Sequence, residues 1–328
     1  MARALQVTKG SPARLTEVPD DEIGEGSVEI DVEWSSLNYK DALAITGRPG
    51  VIRAGRLIAG IDLVGTVRAG DGTASPTRVL INGRGLGETH DGGLSSFARV
   101  PEGWAIPVPE RFTNRQAAAI GTAGYTAALC VEALALPAPT AARAEARAPA
   151  PILVTGATGG VGSIAVALLA RAGHEVAAVT GKADQHDYLR ALGATAIVDR
   201  AELESPGRPL QSERWAGAVD TVGGPVLANV LAQIRYGGTV AACGMAASPE
   251  VTASMMPFIL RGVTLAGINS VFTADAVRDA AWRLLDRDLD TGLLDAITTS
   301  IGLQDAVATA ERMLAGETTG RVAVDVRA

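Results

Sequence analysis

The chain has 328 residues, 47% hydrophobic and 20% charged, enough for about two globular domains at roughly 100–200 residues each. Its formal charge of −7 argues against a general nucleic-acid-binding role, which needs a concentrated basic face. Two cysteines, Cys130 and Cys243, cannot build a disulfide framework or a four-thiolate zinc site, and a reducing cytoplasm is expected. The opening residues lack the apolar core of a secretion signal, and no apolar run is expected to reach the roughly 20 residues of a membrane span, Gly159 to Val179 coming nearest.

The first third reads as β. Val28 to Trp34 alternates between faces like a half-buried strand, and Gly60 to Val67 followed by residues 69–72 reads as strand then turn. Ala117 to Leu134 has helical periodicity and breaks at an Ala/Pro-rich segment, residues 135–150, expected to be an exposed linker. Strands and helices then alternate: strands at Ile152–Thr155, Glu175–Thr180, Ala196–Val198, Gly217–Val222 and Gly238–Cys243, with helices at Ser163–Ala172, Gln185–Leu192 and Val226–Ile234. That alternation predicts an α/β domain with a doubly wound parallel sheet.

The strongest signal is Val154-Thr-Gly-Ala-Thr-Gly-Gly-Val-Gly-Ser163, lying between a predicted strand and a predicted helix. In that context Gly156 permits a tight turn, Gly159 and Gly160 admit a pyrophosphate to the backbone amides, and Gly162 lets the helix lie close to the sheet. A carboxylate for the ribose hydroxyls of NADH would sit at the end of the second strand, but the residues there are Thr180-Gly-Lys182. A hydroxyl and a cation suit a 2′-phosphate, which favours NADPH. Lys182 is one of only three lysines, with Lys9 and Lys40. Asp184, past the strand tip, is expected to cap a helix.

The same glycine string satisfies the short-chain dehydrogenase pattern. It begins about 150 residues into the chain, however, and neither Tyr188 nor Tyr236 has a lysine four residues later. A β-rich domain ahead of a nucleotide-binding domain resembles the medium-chain dehydrogenase/reductase architecture instead. Trp34 to Gly47, Ala119 to Cys130, Trp215 to Gly223, Tyr236 to Gly244 and Met256 to Val263 resemble the YhdH/YhfP-type quinone oxidoreductase group, which includes acrylyl-CoA reductases.

The resemblance implies a GroES-like catalytic domain at residues 1–122 and 272–328, a Rossmann domain at 123–271, independence of zinc, and a homodimer. It also implies cofactor contacts at Tyr39, Thr158, Gly159, Gly160, Val161, Thr180, Gly181, Lys182, Arg200, Met245 and Ser270. The group commonly has arginine at Lys182 and tends to carry tryptophans at Arg84 and Asp91, within the loop Asn82 to Gly93. If that loop lines the substrate pocket, acyl specificity has room to differ.

Zinc is further disfavoured because the chain has only His90, His174 and His186, with no cysteine before Cys130. Metal-free reduction of an enone or enoyl thioester needs a placed hydride, donors for the developing enolate, and a proton. Tyr39 is the candidate to orient the substrate or donate a proton, against a structural role in the core. Asn38 either donates to the carbonyl or holds a turn. Lys40 and Asp41 read as a helix-start pair, and Asp62 as ordering a buried turn. His90 and Arg84 are candidate substrate contacts, and Arg48, Arg53, Arg56 and Arg84 form either a basic rim for a CoA ester or a solvated loop. The expected activity is NADPH-dependent reduction of an activated double bond, with quinone reduction as the alternative and a non-catalytic NADPH-binding module as the alternative of another class.

Overall fold

Ile30 and Val32 face a core while their neighbours face a more open side, and the strand that carries them, Val28–Leu37, organises the β-rich unit. In the computed structural model, which describes residues 1–68, 77–134 and 150–328, it pairs with Asp62–Val67 on one side, and on the other with Phe97–Val100 through its first half and Arg321–Asp325 through its second. This seven-stranded sheet runs Thr298–Gly302, Arg321–Asp325, Val28–Leu37, Asp62–Val67, Arg78–Asn82, Ile106–Pro107, with Phe97–Val100 paired to Val28–Leu37 off that path. A smaller sheet places Ala2–Thr8 between Ser11–Val18 and Arg56–Ile58. The helix Tyr39–Ile45 follows the central strand directly, so the strand's end fixes where that helix starts.

The second unit holds six parallel strands in the order Ala196–Asp199, Val176–Thr180, Ile152–Val154, Gly217–Asp220, Thr239–Ala242, Thr264–Gly267. By chain order this is 3-2-1-4-5-6, which reverses direction at Ile152–Val154. Short runs such as Val176–Thr180 are buried along their whole length, as strands covered on both faces must be. The crevice beyond the carboxyl end of the strand where the order reverses is where dinucleotides bind in such sheets.

The chain divides into Met1–Ala123, Ser270–Thr273 and Thr291–Ala328 as one unit, and Gly124–Asn269 and Ala274–Asp290 as the other. Residues 274–290 thus depart from the 272–328 stretch that the sequence assigns to the first unit. Their helix, Asp275–Asp288, buries Ala281, Trp282 and Leu285 and lays the Arg278 guanidinium 4.7 Å from the Tyr125 ring centroid. An amphipathic pattern announces that a face is buried, not which core receives it.

The helix Asn114–Leu134 corrects a second expectation. It is long and apolar enough to cross a membrane, yet most of it is buried within the fold, and Gly121, at φ 48° and ψ −158°, interrupts its regular turns. The expected turn at residues 69–72 and the expected linker, apart from residue 150, lie outside the described residues.

Candidate active site

The glycine turn stands where the sequence places it, between the strand Ile152–Val154 and the helix Gly160–Arg171. Gly156 has φ 58°, and a β-carbon there would lie 2.2 Å from Thr221 Oγ1. At Gly162 a β-carbon would lie 2.3 Å from the Gly156 carbonyl oxygen, so only glycine lets the helix approach this closely. The turn is braced from below: Thr155 Oγ1 donates to Asp220 Oδ1 at 2.7 Å, Thr221 Oγ1 donates to the Thr155 carbonyl at 3.0 Å, and the Gly223 amide donates to Asp220 Oδ2 at 2.8 Å. Burial pushes the Asp220 carboxyl above its ordinary pKa, against the hydrogen bonds it receives. Thr158 is buried while Gly159 is exposed, and the first-turn amides of the helix, which lack intrahelical partners, follow it. A pyrophosphate fits this end by both donors and dipole.

At the tip of the second strand Thr180 is buried, and its Oγ1 accepts the Lys182 amide at 3.0 Å, which turns the chain. Arg200 follows the third strand, its amide donating to the Thr180 carbonyl at 3.1 Å. Its guanidinium lies over Gly181: a β-carbon on Gly181 would stand 3.0 Å from Arg200 Cζ. Thr180, Gly181, Lys182 and Arg200 therefore come together. Arg200 Nε also pairs with Glu204 at 2.6 Å, both side chains being about half exposed. Asp184 is not the cap expected of it. It sits inside the turn Ala183–Gln185, where its Oδ2 accepts from Gln185 Nε2 at 2.8 Å. Met245 lies beyond the fifth strand and is 66% exposed.

In the first unit, Tyr39 opens its helix and is 45% exposed, which rules out the core role weighed for it. Asn38 before it is buried. Its Nδ2 lies 2.8 Å from Asp62 Oδ2, 3.0 Å from Asp41 Oδ2 and 3.1 Å from Ser36 Oγ, so the amide donors are engaged by the protein itself. Asp41 behaves as a helix-start residue, accepting the Asn38 amide at 2.9 Å, and its other oxygen accepts the Ile61 amide at 2.9 Å. Lys40 is not its partner but pairs with Glu88 at 2.8 Å.

Asp62 does more than order a turn. It accepts from Ser36 Oγ at 2.5 Å, Asn82 Nδ2 at 2.7 Å, and the Thr122 hydroxyl and amide at 2.6 Å and 2.8 Å, besides Asn38. Arg321, fully buried nearby, donates Nε to the Ala119 carbonyl at 2.5 Å, while its Nη2 has no hydrogen-bond partner among the described residues. Burial lowers the Arg321 pKa, and the charges of Asp62 and Asp41 oppose that shift. Burial, followed by the charge of Asp62, pushes Asp41 up to about 7. Asn82, Thr122 and Arg321 were missed as site residues, since in sequence nothing links them to Asp62.

The loop after Asn82 carries Arg84 in a left-handed conformation, φ 57°, between Gly83 and Gly85. Its amide donates to the Val271 carbonyl at 3.2 Å, which sets the loop beside the Ser270–Thr273 segment. His90 is exposed, with its ring edge-on to Trp104 at 5.0 Å. Asp91 is committed to the fold: Oδ1 accepts the Ile58 amide at 2.7 Å and Oδ2 the Gly24 amide at 2.9 Å. Among Arg48, Arg53 and Arg56, Arg56 faces Glu22 at 3.7 Å. Among the described residues no three His, Cys, Asp or Glu side chains come together as metal ligands.

A family model for zinc-binding dehydrogenases matches residues 160–287, most of which lie in the second unit. Among the described residues no donor set fits a zinc ion. The chain is 45% identical over 316 residues to the probable acrylyl-CoA reductase AcuI of Escherichia coli, covering 96% of this chain and 95% of that one. It is 38% identical to the putative quinone oxidoreductase YhfP of Bacillus subtilis, covering 98% of each. Among solved structures, the YhdH oxidoreductase of Salmonella enterica in complex with NADP superposes with a TM-score of 0.91 at 44% identity over 99% of both chains. The YhfP structure with NAD bound gives 0.89 at 37% identity, again over 99% of both. The chain belongs to the medium-chain dehydrogenase/reductase family of oxidoreductases, in the group that holds the AcuI acrylyl-CoA reductases, YhdH and YhfP.

Proposed function

We propose that this chain is an NADPH-dependent reductase that saturates an activated carbon–carbon double bond, with an enoyl thioester such as acrylyl-CoA, or a small enone, ahead of a quinone as acceptor. The observation that carries the reading is the pair of cations at the tips of the second and third strands, Lys182 and Arg200, beside a glycine turn at the sheet's switch point. Thr158, Gly159, Gly160 and Val161 hold the pyrophosphate, and Thr180, Gly181, Lys182 and Arg200 hold the 2′-phosphate. Tyr39, Met245 and Ser270 are the contacts assigned to the rest of the cofactor.

Bound NADPH supplies a hydride to the β-carbon of the acceptor. The protein's part is to orient that carbon, stabilise the enolate and deliver a proton to the α-carbon. Tyr39 is 45% exposed, and its helix starts on the Asn38–Asp41–Asp62 network. It orients the acceptor or donates the proton. Asn38, with its amide donors engaged, acts by holding Tyr39 in place. Arg84 and His90, on the loop after Asn82, contact the acyl portion. The reading calls for no zinc, since the chain has three histidines and no cysteine before Cys130.

The relatives named as acrylyl-CoA reductases and the YhdH complex with NADP support this order of acceptors. The quinone alternative draws on YhfP, named as a quinone oxidoreductase and solved with NAD. NADPH turnover with any acceptor removes the non-catalytic alternative. The two cysteines are free, in keeping with a cytoplasmic protein, and the net charge of −7 with no nucleic acid partner.

A homodimer is part of the proposal. The strand Thr264–Gly267 ends the six-stranded sheet, and Leu265, Ile259 and Leu260 are 42%, 73% and 58% exposed around it. An open edge with apolar neighbours fits pairing with the same edge of a second copy. The deciding assay is NADPH oxidation at 340 nm with thioester, enone and quinone acceptors side by side, NADH serving as control.

A further inference from the structure

Tyr188, which fails the short-chain dehydrogenase test, has a hydroxyl for which the mechanism above has no use. It lies in the helix His186–Ala191, on the connection that begins with Thr180, Gly181 and Lys182. Its Oη donates to Ser163 Oγ at 2.7 Å. Ser163 is fully buried in the first turn of the helix behind the glycine motif, and its Oγ donates to the Gly159 carbonyl at 2.8 Å, with the Ala157 carbonyl at 3.2 Å. The Gly159 carbonyl also accepts the Ser163 amide at 2.9 Å.

A serine hydroxyl has one proton to donate. Because Tyr188 fills an acceptor position on Ser163, the serine proton is left pointing at the turn. Burial raises the Tyr188 pKa above its ordinary value, so the phenol remains a donor across the working pH range. The tyrosine thus ties the stretch that holds the cations at one end of the cofactor to the turn at its pyrophosphate.

We propose that Tyr188, acting through Ser163, is a positioning residue for the dinucleotide, holding the Gly159 turn in register with the Thr180–Lys182 stretch. The inference rests on the cofactor reading above. It separates Tyr188 from Lys182: the pyrophosphate is common to NADPH and NADH, so loss of the relay weakens both, whereas loss of Lys182 weakens NADPH alone.

The test is fluorescence titration of NADPH and NADH against wild type, Tyr188→Phe, Ser163→Ala and the double variant, with steady-state rates alongside. The Tyr188→Phe change removes one hydroxyl and keeps the ring. Its expected effect is a rise of about three- to tenfold in both dissociation constants, the range that corresponds to roughly one hydrogen bond. The cofactor KM rises with it, kcat at saturating cofactor stays the same, and the double variant is no worse than the weaker-binding single one. Unchanged dissociation constants in Tyr188→Phe, or fully additive effects in the double variant, would overturn the proposal. Wild type that binds neither dinucleotide would overturn the cofactor reading itself, and the relay with it.

Discussion

The guanidinium of Arg200 rests on the backbone of Gly181, close enough that any β-carbon at position 181 would stand 3.0 Å from its Cζ and 3.1 Å from its Nε. Glycine therefore lets one cation lie across a strand tip that already carries Lys182. A 2′-phosphate between Lys182 and Arg200 would gain charge-assisted hydrogen bonds. Replacing either residue with alanine is expected to raise the NADPH dissociation constant at least about tenfold, the range for one such bond to a charged group, and to leave NADH almost unchanged. Isothermal titration with both cofactors decides this; equal losses for the two would remove the 2′-phosphate role.

Gly156→Ala should damage the turn from within. The position needs φ 58°, and the new methyl would meet Thr221 Oγ1, which is held by the Thr155 carbonyl. The expected cost is about 1–3 kcal/mol in urea unfolding, together with loss of cofactor binding. Wild-type binding in this variant would show that the turn is not the pyrophosphate site.

Asp41 gives the fold a pH dependence of definite sign. Its carboxyl is raised from the ordinary 3.8 to about 7, first by burial and then by the charge of Asp62, so the folded state holds the proton more tightly than the unfolded chain. The stability this confers is complete below about pH 4 and is lost as pH rises through about 7. Relative to Asp41→Asn, wild type should therefore lose thermal stability between those values and run parallel above them. A difference that grows in wild type's favour across the same window would contradict the sign.

The open edge at Thr264–Gly267 predicts a dimer that charge can split. Light scattering on wild type should give twice the mass of one chain, and Leu265→Lys combined with Ile259→Glu should give one chain's mass with the far-ultraviolet spectrum intact. A wild-type monomer at micromolar concentration would refute the second copy as the occupant of that edge.

How much was legible in sequence follows from what each residue demands locally. The glycine motif could be read because a tight turn, a close helix and a phosphate-facing amide each admit few residue types, and they recur at fixed spacing. The alternation of strand and helix in residues 152–267 gave the order of elements, and the parallel ladders carry it out. The Asp62 network could not be read: Ser36, Asn82, Thr122 and Arg321 lie 26, 20, 60 and 259 positions away, and a buried charge looks the same in sequence as a solvated one. Arg200 was reached only through the family likeness, since it meets Gly181 through pairing of the second and third strands. Asp91 shows the reverse case. A loop position suspected of tuning the acceptor is occupied by a carboxylate that ties two backbone amides.

The central claim is NADPH-dependent saturation of an activated double bond. Its most direct test is the rate of NADPH oxidation at 340 nm with acrylyl-CoA, crotonyl-CoA, methyl vinyl ketone and 1,4-benzoquinone under one set of conditions, with NADH in parallel. The account predicts turnover of a thioester or the enone above that of the quinone, with NADPH preferred. Turnover of the quinone alone, or equal rates with NADH, would contradict it.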